Sequence, residues 1–211
     1  ARKSVNVYVL IGMSDTHLGA LSLSDKYQNI RMSERAIELA WTHSQVVLYQ
    51  LNITNTEAQL FAEMAGALVY VSPLLRAEPS IIKKNRRGQS NLWSYGISGD
   101  IPLVLLRIKD ISNIELVRQL VLAHAYWRIK GLIVDLVMLN EDTSVYRQSL
   151  YDEIINLIDG GIDAALLEKQ GGVFVRRVEH IPHEDILLLE SVARIVIDDE
   201  ELANIIKRKT I

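Results

Sequence analysis

The chain has 211 residues, of which 49% are hydrophobic and none is cysteine, and its formal net charge is −3. The lack of cysteine excludes disulfide frameworks, zinc–thiolate sites and thiol catalysis. The near-neutral charge argues against a protein built to bind nucleic acid or an anionic membrane. No apolar run reaches the ~18 residues that a membrane-spanning helix needs, and we expect neither a transmembrane segment nor a signal peptide. We therefore predict a globular body of one large domain or two small ones.

The first residues predict a β-strand that has no neighbouring strand in sequence. Val5, Val7 and Val9 alternate with other residues over 5–11 (VNVYVLI), which is typical of a half-buried strand. The residues that follow have the pattern of helices. An isolated strand beside the unusual first residue Ala1 leads us to expect a piece cut from a longer protein.

Residues from about 14 to 84 predict a helical region. Apolar residues recur every three or four positions over 33–50, the spacing of an amphipathic helix. Thr54 or Asn55 can cap the next helix, with Glu57 in its first turn, where the helix dipole favours an acid. Two prolines then interrupt the helical pattern.

From about residue 101, apolar runs alternate with helical stretches. The three runs, which we predict as strands, are 101–108, 132–139 and 172–178. The predicted helices are 114–130, 146–158, 184–197 and a last one at 202–209. This alternation predicts βαβ units, and so an α/β fold with a small three-stranded parallel sheet.

An unusual stretch, NRRGQSNLWSYGISGD, precedes the first of these strands at 85–100. Such a mixture binds sugars, because a ring face stacks on Trp or Tyr while amides, arginines and carboxylates bind hydroxyls. The candidate carbohydrate-binding residues are Arg86, Gln89, Asn91, Trp93, Tyr95 and Asp100. The alternative is an ordered loop whose glycines permit tight turns and whose aromatics fill a core edge. A sugar site predicts exposed aromatics, and the alternative predicts buried ones.

Polar residues follow each predicted strand. The carboxyl ends of parallel strands lie along one edge, where ligands bind in open α/β sheets, so we expect a cleft there. The residues at this edge are Lys109, Asp110, Asn140, Glu141, Asp142, Glu179 and His180, of which Asn140, Glu141 and His180 are the candidate cleft residues. The alternative is that loops after strands are simply polar.

Other features receive no catalytic assignment. Asp135 lies within an apolar strand and predicts a structural partner such as an arginine or an indole N–H, because an unpaired buried charge costs several kcal/mol. His180 and His183 have no third ligand at a suitable spacing, so we assign no metal and expect no cofactor. The glycines of 96–100 precede a strand, which argues against a dinucleotide or phosphate loop. Hydrolase motifs are absent.

Four segments of the chain resemble the cyclic β-1,2-glucan synthases, which are very large bacterial envelope enzymes. The segments are AWTHSQVVLYQLNIT (40–54), NRRGQSNLWSYGISGDIPLVLLRI (85–108), ELVRQLVLAHAYWRIKGLIVDLVMLNE (115–141) and GGVFVRRVEHIPHED (171–185). The resemblance implies a parent that makes glucan from UDP-glucose with a membrane-embedded glycosyltransferase region. It also implies a C-terminal part that resembles disaccharide phosphorylases and controls chain length.

Within such a parent, the chain looks like the helical linker after a β-sandwich, followed by an α/β insert, beside an (α/α)6 barrel. The implied bounds are 1–13 for the last strand of a truncated sandwich, 14–84 for the linker and 85–211 for the α/β domain. No segment matches the phosphorylase general-acid region or the transferase aspartates, so no catalytic residue is carried over. We expect a soluble, non-catalytic fragment, on the cytoplasmic side of an inner-membrane parent, that connects domains and contacts the β-1,2-glucan. The alternative is an independent small α/β enzyme or ligand-binding domain that uses the carboxyl edge.

Overall fold

The computed structural model describes residues 5, 7, 9–142, 147–161 and 164–198, which form two compact units, 1–50 and 51–211. The first unit contains helix α1 (His17–Tyr27) and nearly all of helix α2 (Ile30–Leu51). The helix predicted over 33–50 is confirmed and begins three residues earlier. The described residues of this unit contain no strand. The strand predicted over 5–11 is therefore not seen at 5, 7 and 9–11, where no described strand offers it backbone partners, and residues 6 and 8 lie outside the described residues.

The second unit is an α/β domain built on a four-stranded parallel sheet. Its strands are β1 (Leu103–Ile108), β2 (Asp135–Asn140), β3 (Val173–Arg177) and β4 (Ile195–Asp198), in the sheet order β3-β2-β1-β4. Its helices are α3 (Asn55–Tyr70), α4 (Pro79–Lys84), α5 (Ile114–Ile129), α6 (Arg147–Asp159) and α7 (His183–Val192). The predicted α/β class and the three predicted strands are confirmed.

A fourth strand stands where the sequence pattern predicts helix. The helix predicted over 184–197 ends at Val192, and β4 then pairs with β1, with Ile195 opposite Val104. The three consecutive β-branched residues from Ile195 lose side-chain freedom in a helix and fit a pleated sheet. Pairing also covers an edge of β1 that a three-stranded sheet leaves open. The helix predicted over 202–209 lies outside the described residues.

The two central strands, β1 and β2, are nearly inaccessible on both faces of the sheet, as their apolar sequences predict. One face packs against α7 and a 3₁₀ turn, Gln89–Tyr95, through a cluster that includes Leu105, Val137 and Phe174. Because side chains alternate along a strand, their neighbours in sequence face the opposite side. The turn that carries four of the six predicted sugar-binding residues is thus part of the core packing.

Helices α3 and α4 pack against the α/β core. Thr54 caps α3 as predicted: its hydroxyl accepts a hydrogen bond from the N–H of Glu57 at 3.2 Å, and its own N–H donates to Glu57 Oε2 at 2.8 Å. Helix α3 contacts α5, where the indole N–H of buried Trp127 donates to the carbonyl of Phe61 at 2.7 Å. Helix α4 contacts α7. The predicted domain bounds at 13 and 84 stay predictions.

Candidate functional site

The 3₁₀ turn Gln89–Tyr95, which precedes β1, holds four of the six predicted sugar-binding residues; Arg86 precedes the turn and Asp100 follows it. Leu92 within the turn and Ile97 just after it are buried in the core and anchor it. Gly96 ends the turn with φ of 74°, a left-handed conformation that favours glycine, and its N–H donates to the carbonyl of Trp93 at 3.0 Å. The buried anchors and the Gly96 hydrogen bond therefore fix the backbone that carries the polar side chains of the turn.

Trp93 lies on the outside of this turn, with 64% of its surface exposed. Its indole N–H donates to the carbonyl of Ser98 at 3.3 Å. Gln89 Nε2 donates to the same carbonyl at 2.9 Å and to Asp100 Oδ1 at 2.8 Å. The structure thus brings together three of the predicted residues, Gln89, Trp93 and Asp100, and presents an aromatic ring beside an amide and a carboxylate.

Tyr95, in contrast to the exposed Trp93, points toward α7. It is half-buried, and its hydroxyl donates to Asp185 Oδ2 of α7 at 2.8 Å, while Arg87 Nε lies 3.6 Å from Asp185 Oδ1. Burial, together with the hydrogen bond to Asp185, raises the pKa of Tyr95 to about 12. The Tyr95 phenol ties the 3₁₀ turn to α7 rather than standing free as a stacking surface.

The remaining two candidates are not joined to this group. Arg86 is exposed and Asn91 is half-buried on the same stretch. Among the described residues, no hydrogen bond links either side chain to Gln89, Trp93 or Asp100.

A cleft of about 690 Å³ opens at the carboxyl edge of the sheet. Its wall includes residues at the carboxyl ends of β1, β2 and β3, together with residues of α4 and α7. Asn140 and Glu141 line it, as does Asp142. His180 does not: it lies in a 3₁₀ turn after β3, 3.7 Å from Glu179, and borders a smaller cavity of about 410 Å³ with Tyr95 and other residues.

Arg107, which the sequence analysis did not single out, lines the cleft from β1. Its Nε lies 2.6 Å from Glu141 Oε1 and 3.6 Å from Asp198 Oδ1, and its Nη1 lies 2.7 Å from Glu190 Oε1. Burial acts to lower the pKa of Arg107, but the hydrogen bond with Glu141 and the charges of Glu190 and Asp198 raise it overall. Burial raises the pKa of Glu190, against the opposing charge of Arg107. In the sequence, the position of Arg107 inside the apolar run LVLLRI indicates that this charge must have carboxylate partners in the fold.

Asp135 lies at the opposite, amino edge of the sheet and is fully buried. Its Oδ1 accepts a hydrogen bond from the N–H of Gly171 at 2.7 Å, so the predicted arginine or indole partner is wrong. Its Oδ2 has no hydrogen-bond partner in the described part of the chain. Burial raises the pKa of Asp135, while the Gly171 N–H and the charge of His124 act to lower it. A main-chain amide served as partner because β3 begins beside β2 just after a glycine turn.

Neither a metal-binding cluster nor a membrane-spanning helix occurs in the described residues. Within residues 5, 7, 9–142, 147–161 and 164–198, no three His, Asp or Glu side chains are grouped so as to hold a metal ion. In the same part of the chain, no helix has the length and apolar character needed to cross a membrane.

Comparison with curated proteins finds the cyclic beta-(1,2)-glucan synthase NdvB of Rhizobium meliloti (strain 1021). The match is 37% identical over 126 residues, which is 60% of this chain and 4% of the length of that protein. This similarity supports membership of the cyclic β-(1,2)-glucan synthase family. No profile of a known protein family matches the chain. The resemblance drawn from the sequence segments is therefore confirmed, and the match spans only a small part of the length of that synthase.

Proposed function

We propose that the chain is a non-catalytic connector of a cyclic β-(1,2)-glucan synthase-like enzyme and that it contacts the glucan through Trp93. The observation that carries the proposal is an exposed tryptophan whose indole N–H is hydrogen-bonded to the carbonyl of Ser98, just after its turn. The similarity to a glucan synthase supports a carbohydrate as the partner. The parent would use UDP-glucose at a bacterial inner membrane, with this segment on the cytoplasmic side.

The chemistry of the Trp93 turn suits a sugar. A tryptophan ring offers a large flat apolar face on which the C–H face of a glucose ring can lie. The neighbouring side chains of Gln89 and Asp100 have amide and carboxylate groups that bond sugar hydroxyls. Their mutual hydrogen bonds fix the positions of these groups before any sugar arrives, which lowers the ordering cost of binding.

The connector part of the proposal is supported by exposed apolar side chains on α2. Ile37, Leu39, Trp41 and Tyr49 all have more than half of their surface exposed. Exposed apolar surface of this kind is typical of residues that pack against other domains. The β-sandwich and the (α/α)6 barrel that the resemblance implies are the proposed neighbours, and we assign no catalytic step to residues of this chain.

A nuclear magnetic resonance titration with short β-1,2-linked gluco-oligosaccharides tests the glucan contact. The three indole N–H signals come from Trp41, Trp93 and Trp127. We expect a saturable shift of the Trp93 indole, with Trp41 and Trp127 unchanged. Trp93→Ala should weaken binding about tenfold or more, because removing the ring loses most of the apolar area that the sugar covers, and a loss of about 1.4 kcal/mol is a tenfold change in affinity.

Trp41→Ala is the matched control, because Trp41 is 66% exposed and lies in the other unit. It should leave the affinity unchanged. Trp93→Phe keeps an aromatic face and should retain most of the binding. A well-dispersed spectrum that does not move at millimolar oligosaccharide would contradict the glucan contact and leave only the connector role.

A further inference from the structure

We propose that the cleft at the carboxyl edge of the sheet is a second binding site, and that its ligand is a small neutral polyhydroxylated molecule of monosaccharide to disaccharide size. The site does not include Trp93 or its turn. Binding of a ligand in this cleft therefore does not depend on whether Trp93 contacts glucan.

The position of the cleft is the first argument. From β1 the chain proceeds to β2 and β3 on one side and then returns to place β4 on the other side of β1. Open parallel sheets bind ligands outside the carboxyl ends of the strands, where the strand order reverses in this way. The volume of about 690 Å³ lies within the roughly 300–1,000 Å³ usual for small-molecule sites.

Two deeply buried side chains in the wall have unused hydrogen-bonding capacity. Asn140 is 5% exposed; its Oδ1 accepts the N–H of Asp142 at 2.9 Å, and no described residue bonds its Nδ2. Glu190 is also 5% exposed; its Oε1 bonds Arg107, and no described residue bonds its Oε2. One free donor and one free acceptor suit hydroxyl groups, which both accept and donate.

The charges of the wall favour a neutral ligand. Three cations (Lys84, Arg107 and Arg177) face four carboxylates (Glu141, Asp142, Glu179 and Glu190). With His183, which also lines the cleft, counted as neutral, the wall has a formal excess of only one negative charge. Because Arg107 is bonded to two of the carboxylates, the wall offers no cluster of like charge with which to select an ion.

The remaining wall residues provide further contacts for a sugar ring. The guanidinium of Arg177 lies over the ring of Tyr151, 4.8 Å from its centroid, which holds a donor group in place. Ile186 and Leu187 of α7 add an apolar strip. Donors, acceptors and an apolar strip together are the combination that binds the hydroxyls and the C–H face of a sugar.

Calorimetric and nuclear magnetic resonance titrations of the full 211-residue chain test the site. The probes are glucose, a β-1,2-linked glucose disaccharide, inorganic phosphate and spermidine. We expect saturable shifts of the Asn140 side-chain amide with a sugar probe and none with phosphate or spermidine. Lys84→Gln and Arg177→Gln should each weaken sugar binding at least threefold.

Lys83→Gln is the matched control, because Lys83 is also exposed in the last turn of α4 but does not line the cleft. It should leave binding unchanged. Trp93→Ala should also leave the Asn140 shift unchanged, which separates this site from the proposed glucan contact. The proposal is overturned if phosphate or spermidine alone shifts Asn140, if no probe does, or if Lys83→Gln and Lys84→Gln weaken binding equally.

Discussion

The two edges of the sheet differ in how a buried charged side chain is compensated. At the carboxyl edge, Arg107 is surrounded by Glu141, Glu190 and Asp198, and the group opens onto a cleft. At the amino edge, Asp135 is closed off from solvent with one main-chain N–H as its partner. The first edge balances charges with one another, whereas burial at the second favours the uncharged form of a carboxyl.

Because of this difference, groups that can bind a ligand lie at the carboxyl edge, and the amino edge contributes only to the packing of the domain. Groups at the carboxyl edge have unused hydrogen-bonding capacity that faces a cavity. The free oxygen of Asp135 is enclosed instead, so it adds cost to the folded state and offers nothing to a ligand. We therefore expect substitutions at the carboxyl edge to change both stability and binding, and substitutions at the amino edge to change stability alone.

The largest expected effect follows from removing Arg107. Arg107→Met leaves the buried carboxylate of Glu190 without its cation, which should lower the free energy of unfolding by about 3–5 kcal/mol at pH 7. The loss should shrink at lower pH, because burial raises the pKa of Glu190, which then takes up a proton. Urea denaturation followed by circular dichroism at pH 7 and pH 5 measures both effects.

Arg118→Met provides the control for this comparison. Arg118 bonds Glu115 on the surface of α5, where both side chains are well exposed. Exposed ion pairs contribute about 0–1 kcal/mol, so this variant should lose less than about 1 kcal/mol. Equal losses for the two arginine variants would show that the Arg107 group is no more than a surface ion pair.

Much of the fold was predictable because local patterns and tertiary packing agree. The apolar runs of β1 and β2 predict strands covered on both faces, and Thr54 with Glu57 predicts the start of α3. Strand β4 was missed because Ile195–Asp198 continues the apolar pattern of α7, and only the open edge of β1 selects the extended form.

The sequence predicted those site residues whose position follows from the order of strands along the chain, and it did not predict their long-range partners. Parallel strands bring Asn140 and Glu141 to one edge, and the cleft stands there. Arg107 needs Glu190, a partner 83 residues away, and Tyr95 needs Asp185, 90 residues away, which no spacing rule reveals. His180 turns away because β3 ends at Arg177 and a 3₁₀ turn follows.

At the amino edge, the next largest effect concerns the turn that bonds Asp135. Gly171 has φ of 73°, and an added Cβ would lie 2.6 Å from Ile133 Cγ2. Gly171→Ala should lower the free energy of unfolding by about 2–3 kcal/mol, from about 1–2 kcal/mol of left-handed strain and about 1 kcal/mol of displacement.

Gly131→Ala isolates the strain, since Gly131 has φ of 86° and nothing within 4 Å of an added Cβ. Its loss should be about 1–2 kcal/mol. The two variants are compared by urea denaturation. Equal losses in the free energy of unfolding would mean that displacing the Ile133 side chain costs no free energy.

The smallest effect tests whether the closed edge holds a neutral acid. Because burial raises the folded-state pKa of Asp135 above 3.8, the folded chain binds its proton more tightly than the unfolded chain does. This contribution to stability is fully present below about pH 4 and is lost as the pH rises through the folded pKa. Asp135→Asn keeps an acceptor for the Gly171 N–H and does not titrate. The free energy of unfolding of the variant, relative to the parent chain, should therefore rise between pH 4 and pH 8, by on the order of 1 kcal/mol.

Glu115→Gln should change the pH profile in the opposite direction, which makes it the control. The hydrogen bond from Arg118 holds the pKa of Glu115 below its usual range, so its contribution is present above the unfolded pKa and is lost as the pH falls. Relative to the parent chain, this variant should lose stability as the pH rises toward 4.5, the unfolded pKa of Glu115, and change little above it, where Asp135→Asn gains stability. Urea midpoints measured at each pH show the two slopes directly. Parallel slopes would mean that Asp135 is ionised in the folded chain, and that the amino edge, like the carboxyl edge, stabilises charge.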